Sequence, residues 1–231
     1  RFANGFRAPQ TAELYRLQAG QQVANLDSEE ISNIELGLRG TLEETLEYDL
    51  SVYYMNKDNV IFQDADRFNV SGAKTRHYGA ELSLDYRFSP DWYFRLDGTW
   101  VSHTYDSRID LLGSSKDIKG NSIDTAPEVF GSARLGWQFL ASGLAELEWL
   151  YMDSYYLEPD NEHKYDGHTL LNLRVSAPLT PAWAATLRLT NLLDEDYAER
   201  ADFGFGQYRY FVGLPRAAYL EISYQFGLGG S

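Results

Sequence analysis

Cysteine is absent from this 231-residue chain. Disulfides, thiol nucleophiles and Cys-ligated metals are excluded together. No run of about 18 apolar residues occurs, and a mean hydropathy of −0.42 is too polar for a helical membrane protein. Positive charge is scarce, with 20 Lys and Arg against 34 Asp and Glu and a formal net charge of −14. A phosphate-binding surface needs a basic face, so no nucleic-acid partner is expected, and neither is adhesion to an anionic membrane surface. The chain opens on Arg1 without a basic-then-apolar leader, and Phe2 to Tyr15 reads like the middle of something. An internal fragment is the expectation.

What the chain has in quantity is aromatic side chains: 17 Tyr, 12 Phe and 5 Trp. Many aromatics without long apolar runs point to an all-β protein that meets two environments. Period-2 alternation recurs along the chain. Ala80, Leu82, Leu84, Tyr86 and Phe88 alternate with Glu81, Ser83, Asp85 and Arg87. Ala133 to Phe139 and Ala218 to Phe226 repeat the pattern, and all three segments end in aromatic-x-Phe. Further alternating segments surround Leu36, Leu50, Leu96, Leu147, Leu173 and Leu187. The count is about ten strands, including one near Arg1–Asn4, each close to the ~9–11 residues a tilted strand needs to cross a bilayer.

Connection lengths alternate as well. Short turns are expected near Thr41–Glu44, Ser89–Asp91, Ala141–Gly143 and Pro178–Ala182. Long loops are expected at Lys57–Ala73, Asp106–Ala126, Glu158–Gly167 and Asp194–Pro215. A soluble sandwich has no reason to place every long loop on one edge, whereas an outer-membrane barrel pairs short periplasmic turns with long external loops. The fold class is therefore all-β, an antiparallel up-and-down transmembrane β-barrel. Apolar side chains touch lipid, and the aromatic endings anchor the periplasmic rim together with Trp92, Tyr93 and Trp183. Glu35, Glu47, Asp49, Glu81, Asp85, Asp97, Glu146 and Glu148 face the lumen with Arg39, Arg87, Arg95, Arg134, Arg174 and Arg188. A cross-strand charge ladder is the expected role of these groups, rather than acid–base chemistry. Open sheet edges cannot face hydrocarbon, so ten strands must close on themselves or belong to a larger barrel.

Several motifs bear on that choice. Gly5-Phe6-Arg7-Ala8-Pro9 followed by Ala12-Glu13-Leu14-Tyr15 resembles the "GFRAP…ELY" segment of TonB-dependent receptors. Glu30-x4-Glu35-x-Gly37 resembles the strand opening that follows it. Asn191-Leu192-Leu193-Asp194-x2-Tyr197 resembles the family's late "NL-D–Y" motif, and Gly213-Leu214-Pro215-Arg216 its step into the last strand. The resemblance implies about ten C-terminal strands of a roughly 22-stranded barrel, with the plug domain absent from this chain. Residues 1–226 are then the C-terminal part of the barrel. Residues 227–231 form a short Gly-rich tail beyond Phe226, where the family usually ends. Such a fragment is not expected to fold alone, because its two edges would be unpaired in lipid.

The resemblance further implies active uptake of a scarce ligand across the bacterial outer membrane, a ferric siderophore first among the ligand classes. Cobalamin, another metal chelate and a glycan are alternatives. The implied partners are a small-molecule metal chelate, the receptor's own plug, the TonB complex, and the lipid bilayer with its lipopolysaccharide. No cofactor, resident metal or catalytic residue is implied. Haem receptors of the family pair the Phe6–Pro9 box with a downstream "NPNL" box and a histidine between them. Here the later stretch reads Ala24-Asn25-Leu26, and no histidine precedes His77. A haem ligand is therefore not expected, and His163 and His168 read as a solvated loop pair. Two other classes stand as alternatives: a complete small barrel protease or lipase with Ser154 and His168 at its rim, and a passive porin.

Function sits on loops carried by a rigid scaffold. The last loop interleaves Arg200, Phe203, Phe205, Tyr208 and Arg209 with glycine. Such a surface suits a flat anionic or catecholate-like ligand through stacking and charge-assisted hydrogen bonds. Arg7, Tyr105 and Tyr156 complete the candidate ligand-binding set. Alternative roles were a lumen carboxylate partner for Arg7, the outer aromatic girdle for the tyrosines, and a local loop core for Phe203 and Phe205.

Overall fold

The computed structural model describes residues 1–15, 24–63, 68–108, 117–139 and 142–226. Ten strands form one antiparallel sheet: β1 (Phe2–Arg7), β2 (Glu29–Leu42), β3 (Leu46–Gln63), β4 (Asn69–Tyr86), β5 (Trp92–Tyr105), β6 (Val129–Phe139), β7 (Gly143–Met152), β10 (His168–Pro178), β11 (Trp183–Thr190) and β14 (Ala217–Tyr224). Each pairs with the next in chain order, which is the up-and-down meander. Two short hairpins lie outside it: β8 (Tyr155–Tyr156) with β9 (Lys164–Tyr165), and β12 (Ala198–Gly204) with β13 (Gln207–Val212). A single helical turn, α1 (Thr11–Tyr15), follows β1.

The register keeps one side of the sheet apolar from strand to strand. Leu36 faces Val52, which faces Ala80, which faces Trp100. Leu135 faces Leu147, which faces Leu173, which faces Leu189. Among the described residues nothing covers this side: Leu36 is 73% exposed, and Ile34, Leu38, Leu220 and Ile222 are exposed too. A two-sheet sandwich would have buried them. The largest fully buried side chains are instead Ile118, Leu157 and Val101, and a small core of Tyr155, Leu157, Ala198 and Ala201 lies among the long connections.

Aromatic rings band the apolar side at two levels. At the short-turn end Phe88 stacks on Trp92 and Trp92 on Trp137, with centroids 6.3 and 5.7 Å apart. Trp137–Phe139, Trp183–Tyr224 and Tyr224–Phe226 continue the band. At the other end Tyr78 meets Trp100 and Trp149 stacks on Tyr151. Such rings are where an amphipathic side chain settles at a lipid–water boundary.

The polar side carries the expected charges in contact across strands. Arg95 donates to Asp85 at 2.6 Å, and Arg134 to Glu148 at 2.8 Å. Ser83 donates to Asp97, Tyr93 to Glu146 and Asn172 to Glu148.

The short connections fall on one end and the long ones on the other, as the alternation predicts. The Leu42–Thr45 turn closes with a 3.1 Å bond from Thr45 N to Leu42 O, and Glu43 and Glu44 both take positive φ. That is the primed turn whose twist matches a two-strand ribbon. The expected Lys57–Ala73 loop is much shorter. Val60, Ile61 and Phe62 suit a pleated strand, so β3 runs to Gln63 and β4 resumes at Asn69, across register irregularities at Lys57–Val60 and Val60–Phe62. The tail at 227–231 lies outside the described residues.

Candidate ligand-binding face

The last long connection becomes a lid-like hairpin because its own sequence alternates. Phe203 faces Tyr208 across β12–β13, and Asp202 faces Arg209. Phe203 packs inward against Tyr155, Leu157, Ala198 and Ala201. Its ring stacks on His163 with centroids 3.7 Å apart, and Tyr208 meets both edge-on. Two tyrosine hydroxyls hold β12 from below: Tyr155 accepts from Ala201 N at 2.8 Å and Tyr165 from Ala198 N at 3.0 Å. Burial pushes both phenols up, so they remain protonated.

The opposite side of the hairpin carries two exposed arginines. Arg209 donates to Asp202, and Arg200 lies 3.6 Å from the same carboxylate. The Arg200 guanidinium sits 5.7 Å from the Phe211 ring, and that of Arg209 5.8 Å from Phe205. Two guanidinium groups share one carboxylate here, with two aromatic rings beside them. Phe205, at the hairpin tip, is 91% exposed with a positive φ.

The remaining candidates lie elsewhere. Tyr156 carries the Lys164 ammonium over its ring at 4.4 Å, and its carbonyl accepts from Thr125 N at 2.8 Å. Tyr105 points to the polar side and donates to Asp124 at 2.8 Å. The segment around Asp124 and Thr125 thus links these two tyrosines to each other. Tyr105 stands on the lumen side rather than in the lipid girdle, and Tyr155 is buried in the loop core. Arg7 stands at the far edge of the sheet, on the polar side. It donates to Glu29 at 2.7 Å and bidentately to Glu13 at 2.9 Å. Those bonds from Arg7 hold the Glu13 carboxyl below its ordinary value.

The structure therefore gathers Arg200, Phe203, Phe205, Tyr208 and Arg209 on one hairpin, sets Tyr156 next to the Tyr155 that holds it, links Tyr105 to Tyr156 through the Asp124–Thr125 segment, and leaves Arg7 apart. Phe203 serves as the hairpin's internal anchor. The residues that sequence reasoning missed are His163, Glu158 and His168. Glu158 Oε1 accepts from the Glu162 and His163 amides at 2.7 and 2.8 Å and contacts the His163 ring at 3.2 Å. His168 bonds the Tyr165 hydroxyl at 2.9 Å and packs on Tyr197. The two histidines are engaged, not solvated. Their spacing carried no signal, because their ring partners Tyr197, Phe203 and Tyr208 come from a different connection.

The family model for the TonB dependent receptor-like β-barrel matches residues 1–192. The chain belongs to the TonB-dependent receptor family. Its apolar side is the lipid face of an outer-membrane barrel, its polar side lines the lumen, and its long connections face outward. Among curated proteins the chain is 26% identical, over 216 residues and 90% of its length, to a vitamin B12 transporter, BtuB, of Photobacterium profundum. Among solved structures it is similar to the ferric yersiniabactin uptake receptor FyuA of Yersinia pestis, with TM-score 0.79, 16% identity and 98% of the chain covered. It is also similar to the ferric-catecholate import receptor Fiu of E. coli K12, with TM-score 0.74, 18% identity and 96% covered. The chain spans about a third of each of these TonB-dependent receptors: 33% of BtuB, 34% of FyuA and 31% of Fiu. That share fits a part of the barrel, with its two edges at β1 and β14 in need of further strands.

Proposed function

We propose that this chain is the C-terminal wall of a receptor that takes up a ferric siderophore by TonB-dependent transport. The observation that carries the ligand class is the outer side of the β12–β13 hairpin. Arg200 and Arg209 share the single carboxylate of Asp202 beside the exposed Phe205 and Phe211 rings. The two guanidinium groups and the flat apolar faces suit a planar, polyanionic chelate such as a ferric catecholate. In this reading the hairpin captures the chelate at the outer mouth. A plug carried outside this chain completes the site, and the TonB complex draws the plug to admit the ligand. Membership of a transport family argues against the enzyme and the passive porin.

Cobalamin is the second reading, favoured by the relation to a vitamin B12 transporter over 216 residues. Radiolabelled uptake into a strain lacking the gene distinguishes the two. Loss of one ferric siderophore with normal cobalamin uptake is the expected result. Loss of cobalamin alone would install the second reading, and normal uptake of every siderophore tried would remove the first. Replacing Arg200 and Arg209 by Gln in the full-length gene product is expected to weaken chelate binding about tenfold or more at unchanged receptor level, since each lost charge-assisted bond is worth ~1.5 kcal/mol or more.

A further inference from the structure

On the lumen face two imidazoles are in direct contact. His77 on β4 faces His103 on β5, and their Nδ1 atoms lie 2.7 Å apart with ring centroids at 4.9 Å. His77 is only 7% exposed, and its Nε2 lies 2.8 Å from Thr75 Oγ1. Met55 on β3 faces His77, and Asn33 on β2 faces Met55. One register row therefore carries an amide, a thioether and two imidazoles on neighbouring strands, with side chains directly opposite one another ~5 Å apart. Asn33 Oδ1 in this row is buried without a hydrogen-bond partner, a condition that calls for an explanation.

We propose that His77, His103 and Met55 form a binding site for a soft monovalent metal ion, copper(I), on the lumen wall. Imidazole and thioether donors together select that ion. The charge at the site selects it as well. Lys57, two residues from Met55 on the same side of β3, faces Thr75. An ammonium beside the site penalises a divalent ion more than a monovalent one. Among the described residues no three carboxylate, imidazole or thiol groups come together as a metal cluster, so a hard divalent ion finds no oxygen cage here.

The proton count closes without an outside base. In the apo pair one Nδ1 carries a proton and the other accepts it. When both Nδ1 atoms bind metal, each ring carries its proton on Nε2, so a tautomer changes and no proton leaves the pair. Thr75 Oγ1 stands where the His77 Nε2–H then donates, the outer-shell bond that orients a ligating imidazole. Two metal–nitrogen bonds of about 2.0–2.1 Å, as imidazole makes to zinc, place the nitrogens roughly 3.3–3.6 Å apart. The rings must then turn apart by less than about 1 Å from their 2.7 Å contact.

The test titrates the full-length gene product anaerobically with Cu(I) against bicinchoninate, beside the variants His103→Ala and Met55→Leu. One equivalent present in the wild type and missing in His103→Ala is expected. Met55→Leu conserves volume, so it should migrate as a folded, heat-modifiable barrel while binding at least tenfold more weakly. X-ray absorption should show sulfur beside nitrogen in the wild type and nitrogen alone in Met55→Leu. Unchanged stoichiometry and affinity in a folded His103→Ala would overturn the site. Should that variant fail to fold, unchanged affinity in Met55→Leu would overturn it equally, and so would zinc bound as tightly as copper(I). None of these outcomes depends on which chelate the hairpin takes.

Discussion

Leu96 offers the sharpest test of which way the wall faces. It lies on the apolar side of β5, between Leu84 and Ala133, four residues from Trp92 and four from Trp100. At ~3.3 Å per residue and a tilt of roughly 40°, each aromatic level is about 10 Å away, so Leu96 sits at the bilayer midplane. Arginine there should cost ~2–4 kcal/mol, a factor of roughly 30–700 in the folding equilibrium. Ser132 lies one pleat away on the polar side, where it faces Asp97. Arginine at that position meets water and a carboxylate and should change stability by no more than about 0.5 kcal/mol. Equilibrium urea unfolding of the full-length protein in lipid vesicles reads both values. Equal costs for Leu96→Arg and Ser132→Arg, or a larger cost for Ser132→Arg, would refute the sidedness on which the lumen and lipid assignments rest.

Two further expectations follow from the loops. Phe203→Ala removes the ring stacked on His163 and exposes the small loop core, so residues 198–212 should become far more sensitive to limited proteolysis while the barrel stays heat-modifiable. Phe205→Ala at the 91% exposed tip should leave that sensitivity unchanged. The α1 turn should loosen with acid. Arg7 holds the Glu13 carboxyl below its ordinary 4.5, and Glu13 in turn accepts the Gln10 amide at 2.6 Å. A lowered folded value means that this stabilisation is present above pH 4.5 and is lost as pH falls through the lower folded value. Hydrogen exchange at Gln10 should stay slow down to that lower value, and Arg7→Gln should move the onset upward; an unmoved onset would count against the pairing.

Alternation alone determined most of this wall. Leu82, Leu84 and Tyr86 against Ser83 and Asp85 fix a strand with one greasy side, because the pleat has a period of two. The aromatic-x-Phe endings fixed which end is a rim, and unequal connections fixed which end carries loops. Tertiary structure decided what required register and distant partners. His77 and His103 are 26 residues apart, and only the β4–β5 register sets them ring to ring. The Phe203 and Phe205 side chains look equivalent in sequence, yet one anchors the hairpin on His163 and the other stands in water. Tyr105 looked like a girdle residue, but pleat parity turns it toward the lumen, where it donates to Asp124. Short-range pattern records the environment each side chain must meet; which partner it meets there depends on loop closure between segments, to which a local pattern is blind.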